Sequence, residues 1–140
     1  MPRHLFVMLA AATLCGGAAA AQDAEAGATA FARQCATCHR VVAEDGTLLA
    51  GRAGRIGPNL YGIPGAVAAA DAGFRYGSSL LDAAGSGLVW EEEALVRYLL
   101  DPDETLREIT GNPKARSRMA WRVKAKQDAR NIVAFLASLK

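Results

Sequence analysis

"RQCATCHR", residues 33–40, places Cys35, Cys38 and His39 within five positions. Two thiols and an imidazole at that spacing suit three chemistries: a zinc site, a dithiol redox switch, or covalent attachment of haem. Each makes different demands on the rest of the chain.

The first 21 residues stand apart. They carry Arg3 near the start, an apolar run from Leu5 to Leu14, and small residues ending Ala19-Ala20-Ala21. That is the pattern of a secretory signal peptide with an A-x-A site, cut before Gln22. The run is too short and too alanine-rich for a good membrane span, and an uncleaved anchor is the alternative. Cys15 does not suit lipidation, because Leu14 stands where a small residue is wanted. Cleavage leaves residues 22–140, 119 residues in a single domain. Of three cysteines, two histidines and three methionines, that domain keeps Cys35, Cys38, His39 and Met119.

Residues 23–38 read as a helix, with Asp23 as N-cap, Glu25 in the first turn and an alanine-rich stretch through Phe31. Between Val41 and Pro64 there are seven glycines or prolines and no clear periodicity, so loops are expected, with "GPNLYG" a turn-rich connection. A short helix fits Ser79–Ala84, ending at Gly85. A firmer one fits Glu91–Leu100, with three acidic residues at its positive end and a stop at Asp101-Pro102. A further turn or two is expected around Asp103–Ile109. The last helix, Lys126–Leu139, sets Ala129, Ile132, Val133 and Leu136 on one stripe. No segment alternates with period two. The expectation is a small all-α protein of about four or five helices, whose core is thin for its length.

Export implies an oxidising compartment, yet a disulfide closing so small a loop would stabilise little. Zinc wants about four ligands, and here three lie adjacent with no second cluster in the sequence. A redox dithiol wants its C-x-x-C at the start of a helix, where the thiol pKa falls, whereas these cysteines follow one. C-x-x-C-H is also the attachment motif of c-type haem, each thiol adding to one vinyl group and the histidine facing the iron. Exported location, paired cysteines and a thin core agree on that reading, with one haem c per chain.

The sixth iron ligand follows by elimination, since Met119 is the only thioether outside the leader. It sits in the cationic stretch "KARSRMAWRVKAKQ", an odd place for a packing methionine. Histidine plus methionine raises the potential and suits electron transfer. The metal ligands are thus read as His39 and Met119.

On "GATAFARQCATCH", "GPNLYG", "GFRYGSSLLDAAGSGLVWEEEALVRYLLDP", "RSRMAW" and "NIVAFLASL", the chain resembles the class I c-type cytochromes, most closely the bacterial cytochrome c2 group. The resemblance implies a small fold packed around one haem. It implies that Gly27 and Phe31 pack against Ile132 and Phe135. It implies that the Pro58 carbonyl accepts a hydrogen bond from His39, that Tyr98 approaches the Met119 sulfur, and that Tyr76 and Trp90 bind a haem propionate. Where many relatives carry an arginine near that propionate, this chain has Ala66; either a neighbour such as Arg52 or Arg55 substitutes for it, or the propionate is less well compensated.

Charge distribution points to partners. From Thr110 to Gln127 there are six basic residues (Lys114, Arg116, Arg118, Arg122, Lys124 and Lys126) and no acidic one. From Asp82 to Glu108 there are eight acidic residues against Arg97 and Arg107. The basic run flanks Met119 and is expected to ring the haem edge, steering transient docking to an acidic partner. The alternatives are a merely solvated charge run and a nucleic-acid surface, and export and the lack of aromatic interleaving argue against the latter. The resemblance implies a monomeric periplasmic carrier rather than an enzyme. It would take electrons from a cytochrome bc complex and pass them to a photosynthetic reaction centre or a terminal oxidase. The alternatives are a membrane-tethered cytochrome that keeps its leader, and a gas sensor or peroxidase-like enzyme with an exchangeable sixth ligand.

Overall fold

The computed structural model describes residues 22–140; the leader expected at 1–21 lies outside the described residues. Five helices carry the chain: α1 (Ala24–Gln34), α2 (Ser78–Gly85), α3 (Glu92–Leu100), α4 (Pro102–Thr110) and α5 (Lys126–Ser138). Among the described residues no helix is long and apolar enough to cross a membrane.

Local chemistry explains the helix ends. The Asp23 carboxylate accepts the N–H groups of Glu25 at 2.9 Å and Ala26 at 3.0 Å, capping α1. Asp101 does the same for α4 by accepting Glu104 N–H at 3.0 Å, and Pro102, which needs no partner there, follows it. Gly111 ends α4 in the left-handed conformation, at φ 65°. The helix expected over 23–38 is shorter than its composition suggests. The Phe31 carbonyl accepts both Cys35 and Ala36 N–H, and the Cys35 carbonyl then accepts both Cys38 and His39 N–H, which winds C-x-x-C-H into a tight turn.

α1 and α5 cross closely at Gly27. A Cβ there would lie 2.6 Å from the Asn131 carbonyl carbon and 2.8 Å from Phe135 Cβ, so only glycine permits this approach. The crossing is sealed by Phe31, whose ring centroid lies 5.4 Å from that of Phe135, and by Gln34 Nε2 donating to Asp128 at 3.0 Å. Ile132, Leu106, Val96 and Phe31 are essentially fully buried and tie α1, α3, α4 and α5 into one core. The packing expected of Gly27 and Phe31 is therefore present.

One element escaped the sequence reading. Arg40–Val42 (β1) and Leu48–Gly51 (β2) form an antiparallel hairpin, with Arg40 opposite Gly51, Val41 opposite Ala50, and a bulge between Val41 and Val42. Its strands are too short, and Leu48 and Leu49 too exposed, to show an alternating pattern. Asn59 laces the next loop to the hairpin, accepting Val42 N–H at 2.9 Å and donating to the Val42 carbonyl at 2.8 Å.

Candidate functional site

The turn after α1 delivers Cys35, Cys38 and His39 to the wall of a cavity of about 810 Å³. The same cavity is lined by Pro58, Tyr76, Trp90, Tyr98 and Met119, so every cofactor-contact residue read from the sequence meets there. Apolar side chains such as Leu60, Ile63, Leu80, Leu99, Ile132 and Leu136 supply much of the remaining wall. The volume falls within the range of roughly 300–1,000 Å³ usual for cofactor pockets.

His39 is held from behind. Its Nδ1 donates to the Pro58 carbonyl at 3.1 Å, which leaves Nε2 as the nitrogen able to coordinate a metal. Burial pushes the imidazole pKa down, and the Pro58 bond opposes that only in part, so the ring is kept neutral, as a metal ligand must be. Gly57 backs the ring: a Cβ there would lie 2.8 Å from His39 Nε2 and within 3 Å of Cε1 and Nδ1 as well. Gly57 N–H also donates to the Cys38 carbonyl at 2.8 Å, joining this loop to the turn it supports.

The cysteines are not bonded to each other. Burial, and secondarily the neighbouring Cys38, push the Cys35 thiol up to about 12. Cys35 closes the C-terminal end of α1, so no helix N-terminus lowers its pKa, and the dithiol-switch reading loses its physical basis. The zinc reading finds no ligand set, because among the described residues no three or more His, Cys, Asp or Glu groups are placed to hold one metal ion. A deep apolar chamber with two thiols, a neutral imidazole and a thioether on its wall is the donor set that a covalently held haem requires, so the residues present fit that group.

Met119 is partly buried and packs against the core. Its backbone N–H donates to Ser117 Oγ at 3.0 Å, and the Tyr98 hydroxyl lies 2.7 Å from the same oxygen. Tyr98 was expected near the Met119 sulfur; the partner of its hydroxyl is Ser117, one step removed. Burial raises the Tyr98 phenol pKa, with Ser117 opposing, so the hydroxyl stays protonated. The rings of Trp90 and Tyr98 pack with centroids 4.9 Å apart. The Tyr76 hydroxyl accepts Asp71 N–H at 3.1 Å, which leaves its own proton available to a second partner.

The structure adds two facts about charge. Neither Arg52 nor Arg55 lines the cavity in compensation for Ala66; the arginines that do are Arg116 and Arg118. Two of the six basic residues around Met119 are also paired. Asp103 pairs with Arg116 at 3.2 Å and Arg122 at 3.5 Å, and Asp101 pairs with Arg122 at 3.2 Å. These two aspartates belong to the acidic stretch between Asp82 and Glu108, and the α3–α4 corner brings them against the Met119 segment. Lys114, Lys124 and Lys126 make no ion pair among the described residues and are exposed.

Sequence reasoning missed Trp121 and Ile56, exposed at 52% and 70%, which both line the same cavity. A tryptophan inside a cationic stretch, two residues past Met119, was the available signal. Ile56 carried none.

Comparison with known proteins places this geometry. The cytochrome c family model matches residues 24–140. Cytochrome c2 of Rhodovulum adriaticum is 50% identical over 117 residues, covering 84% of this chain and 92% of that protein. Cytochrome c2 of Cereibacter sphaeroides is 47% identical over 115 residues, covering 81% and 92%. The crystal structure of cytochrome c2 from Rhodobacter sphaeroides superposes with a TM-score of 0.81 at 44% identity, over 84% of this chain and 96% of that one. That of ferric cytochrome c-550 from Paracoccus versutus does so with 0.77 at 38%, over 84% and 98%. The cavity, its donor set and these likenesses agree: the chain belongs to the cytochrome c family, an electron carrier rather than an enzyme, with one covalently bound haem c.

Proposed function

We propose that this chain is a periplasmic one-electron shuttle whose haem is fixed by thioether bonds to Cys35 and Cys38 and ligated by His39 and Met119. The supporting observation is that these four side chains, from sequence positions up to 84 residues apart, line one cavity. Haem held there supplies a single Fe(III)/Fe(II) couple, and the protein's residues tune and shield it. Pro58 orients His39 and raises its basicity through Nδ1. The thioether of Met119 favours the ferrous state and keeps the potential high. Tyr76 and Trp90, on the same wall, would donate hydrogen bonds to a haem propionate. The apolar wall excludes water, which keeps reorganisation on electron gain or loss small.

Electrons would arrive from a cytochrome bc complex and leave to a reaction centre or terminal oxidase. Lys114, Lys124 and Lys126, with Arg116, Arg118 and Arg122, face such acidic partners across the Met119 side, and the exposed Trp121 offers an apolar contact in their midst. Residues 1–21 would direct export and be removed.

Intact mass and absorption spectra of the purified protein test this reading together. The expected result is a denatured chain that begins at Gln22 and is heavier by one haem. The oxidised form should also carry a sulfur-to-iron charge-transfer band. Free thiols with no added mass would overturn the attachment. Ready binding of cyanide or carbon monoxide at neutral pH would overturn the filled sixth position and favour a sensor or enzyme.

A further inference from the structure

Beside the haem cavity lies a second recess of about 360 Å³, lined by Arg40, Arg55, Arg75 and Arg118, with Asp71 the one acidic side chain on its wall. The four arginines come from four separate segments: the residue after His39, the turn before Gly57, the loop before Tyr76, and the residue before Met119. Asp71 apart, no carboxylate of the described residues lines the recess, so four cations face one anion there. Arg40 donates to the Gly54 carbonyl at 3.3 Å and Arg118 to the Arg75 carbonyl at 2.8 Å, both neutral acceptors. None of the four forms an ion pair among the described residues. Asp71 is turned to the backbone instead, accepting Asn59 N–H at 3.1 Å and Gly73 N–H at 2.9 Å.

Like charges gathered around a concavity raise one another's energy, and an anion seated among them relieves that cost. Guanidinium forks match the paired oxygens of a tetrahedral oxyanion better than they match a spherical halide. Ile56, Gly57, Asp71, Phe74 and Arg118 line both the recess and the haem cavity, so the two share one wall. Arg118 is fixed within it: its Cγ and Cδ lie over Gly77, where a Cβ would stand only 2.8 and 2.9 Å away.

We propose that this arginine recess binds a phosphate-class oxyanion, and that its occupancy is coupled to the redox state of the haem next to it. Reduction adds a negative charge across the shared wall, so the anion favours the oxidised protein. By reciprocity, the bound anion must then favour oxidation and lower the potential.

The test is calorimetric titration of ferric and ferrous holoprotein with inorganic phosphate, against chloride at matched ionic strength. The key variant is Arg55→Gln/Arg75→Gln, since neither residue lines the haem cavity. Saturable one-site phosphate binding, weakened at least tenfold in that variant while its visible spectrum and melting temperature hold, is the expected result. The ferric form should bind on the order of threefold tighter. At saturation that corresponds to a fall in midpoint potential of about 28 mV, from roughly 59 mV per tenfold for a one-electron couple. Equal affinity in the double variant, or a chloride titration of the same size, would overturn the site. Equal affinity of the two redox states would overturn the coupling. Retention on anionic phospholipid vesicles that free phosphate does not displace would overturn the free anion as ligand in favour of a lipid headgroup.

Discussion

Asp103 accepts the backbone N–H of Ser117 at 2.8 Å, and the Ser117 hydroxyl in turn serves both Met119 N–H and the Tyr98 hydroxyl. One carboxylate at the start of α4 thus fixes the segment that carries the proposed sixth ligand. It does so through the backbone of Ser117 and through ion pairs to Arg116 and Arg122. Asp103→Asn should remove the charge-assisted part of these bonds, worth about 1 kcal/mol for a partly exposed group. Exogenous imidazole should then displace Met119 from the ferric protein about fivefold more readily, by the same energy. Unchanged displacement in that variant would show that Met119 is held by packing alone.

The same carboxylate sets a pH dependence. Donation from Ser117 N–H, and then the guanidinium groups of Arg116 and Arg122, hold the Asp103 carboxyl below the usual carboxylate range. A group whose pKa is depressed in the folded state contributes stability above its unfolded pKa, and that stability fades as pH falls through the folded value. The stability gap between the wild type and Asp103→Asn should therefore be full at neutral pH. It should shrink below the ordinary aspartate pKa of about 3.9. Urea denaturation at several pH values measures this, and a gap that widens in acid would contradict it.

Met119→Ala should abolish the sulfur-to-iron charge-transfer band and lower the potential, because the ligand that favours ferrous iron is removed. His39, secured through Pro58 on the other side of the sequence, should stay bound, so haem should remain attached and coordinated. An unchanged spectrum and potential in this variant would return Met119 to a packing role.

Among the basic residues the structure separates two groups. Lys114→Glu, Lys124→Glu and Lys126→Glu alter side chains without ion pairs, so they should slow bimolecular reaction with an acidic redox partner, most at low salt. Arg116→Glu and Arg122→Glu break contacts to Asp101 and Asp103 as well, and should also loosen the Met119 segment. Stopped-flow rates over a range of ionic strengths, together with imidazole displacement, would tell the groups apart. Identical behaviour in both assays would count against this division.

The helices and the site residues were legible for different reasons. Asp23 acts locally, so the start of α1 was legible from residues within a turn of it, whereas Asp101-Pro102 was read only as the stop of α3 and also caps α4. Cys35, Cys38 and His39 were legible from spacing, and Met119 from scarcity. The hairpin was not, because three- and four-residue strands with exposed leucines carry no periodic signal. The pairing of Asp103 with Ser117 was also hidden. Charge along a chain records sign and position, and says nothing of the corner that turns one end of an acidic stretch back upon a basic one. Arg40, Arg55, Arg75 and Arg118 were invisible as a group for the same reason, lying in four loops that only the fold brings together.

The close crossing at Gly27 has a consequence at the other end of its helix. From Gly27, α1 runs unbroken to Cys35, about 12 Å at ~1.5 Å per residue. A helix of that length behaves as a rod, so its tilt at the crossing sets the position of the cysteine turn at its tip. A methyl group at residue 27 would collide with the Asn131 backbone and swing the tip away from Pro58 and Gly57, which await His39. Five residues write the attachment motif, but a glycine two turns upstream, outside the cavity wall, gives it its address in the molecule.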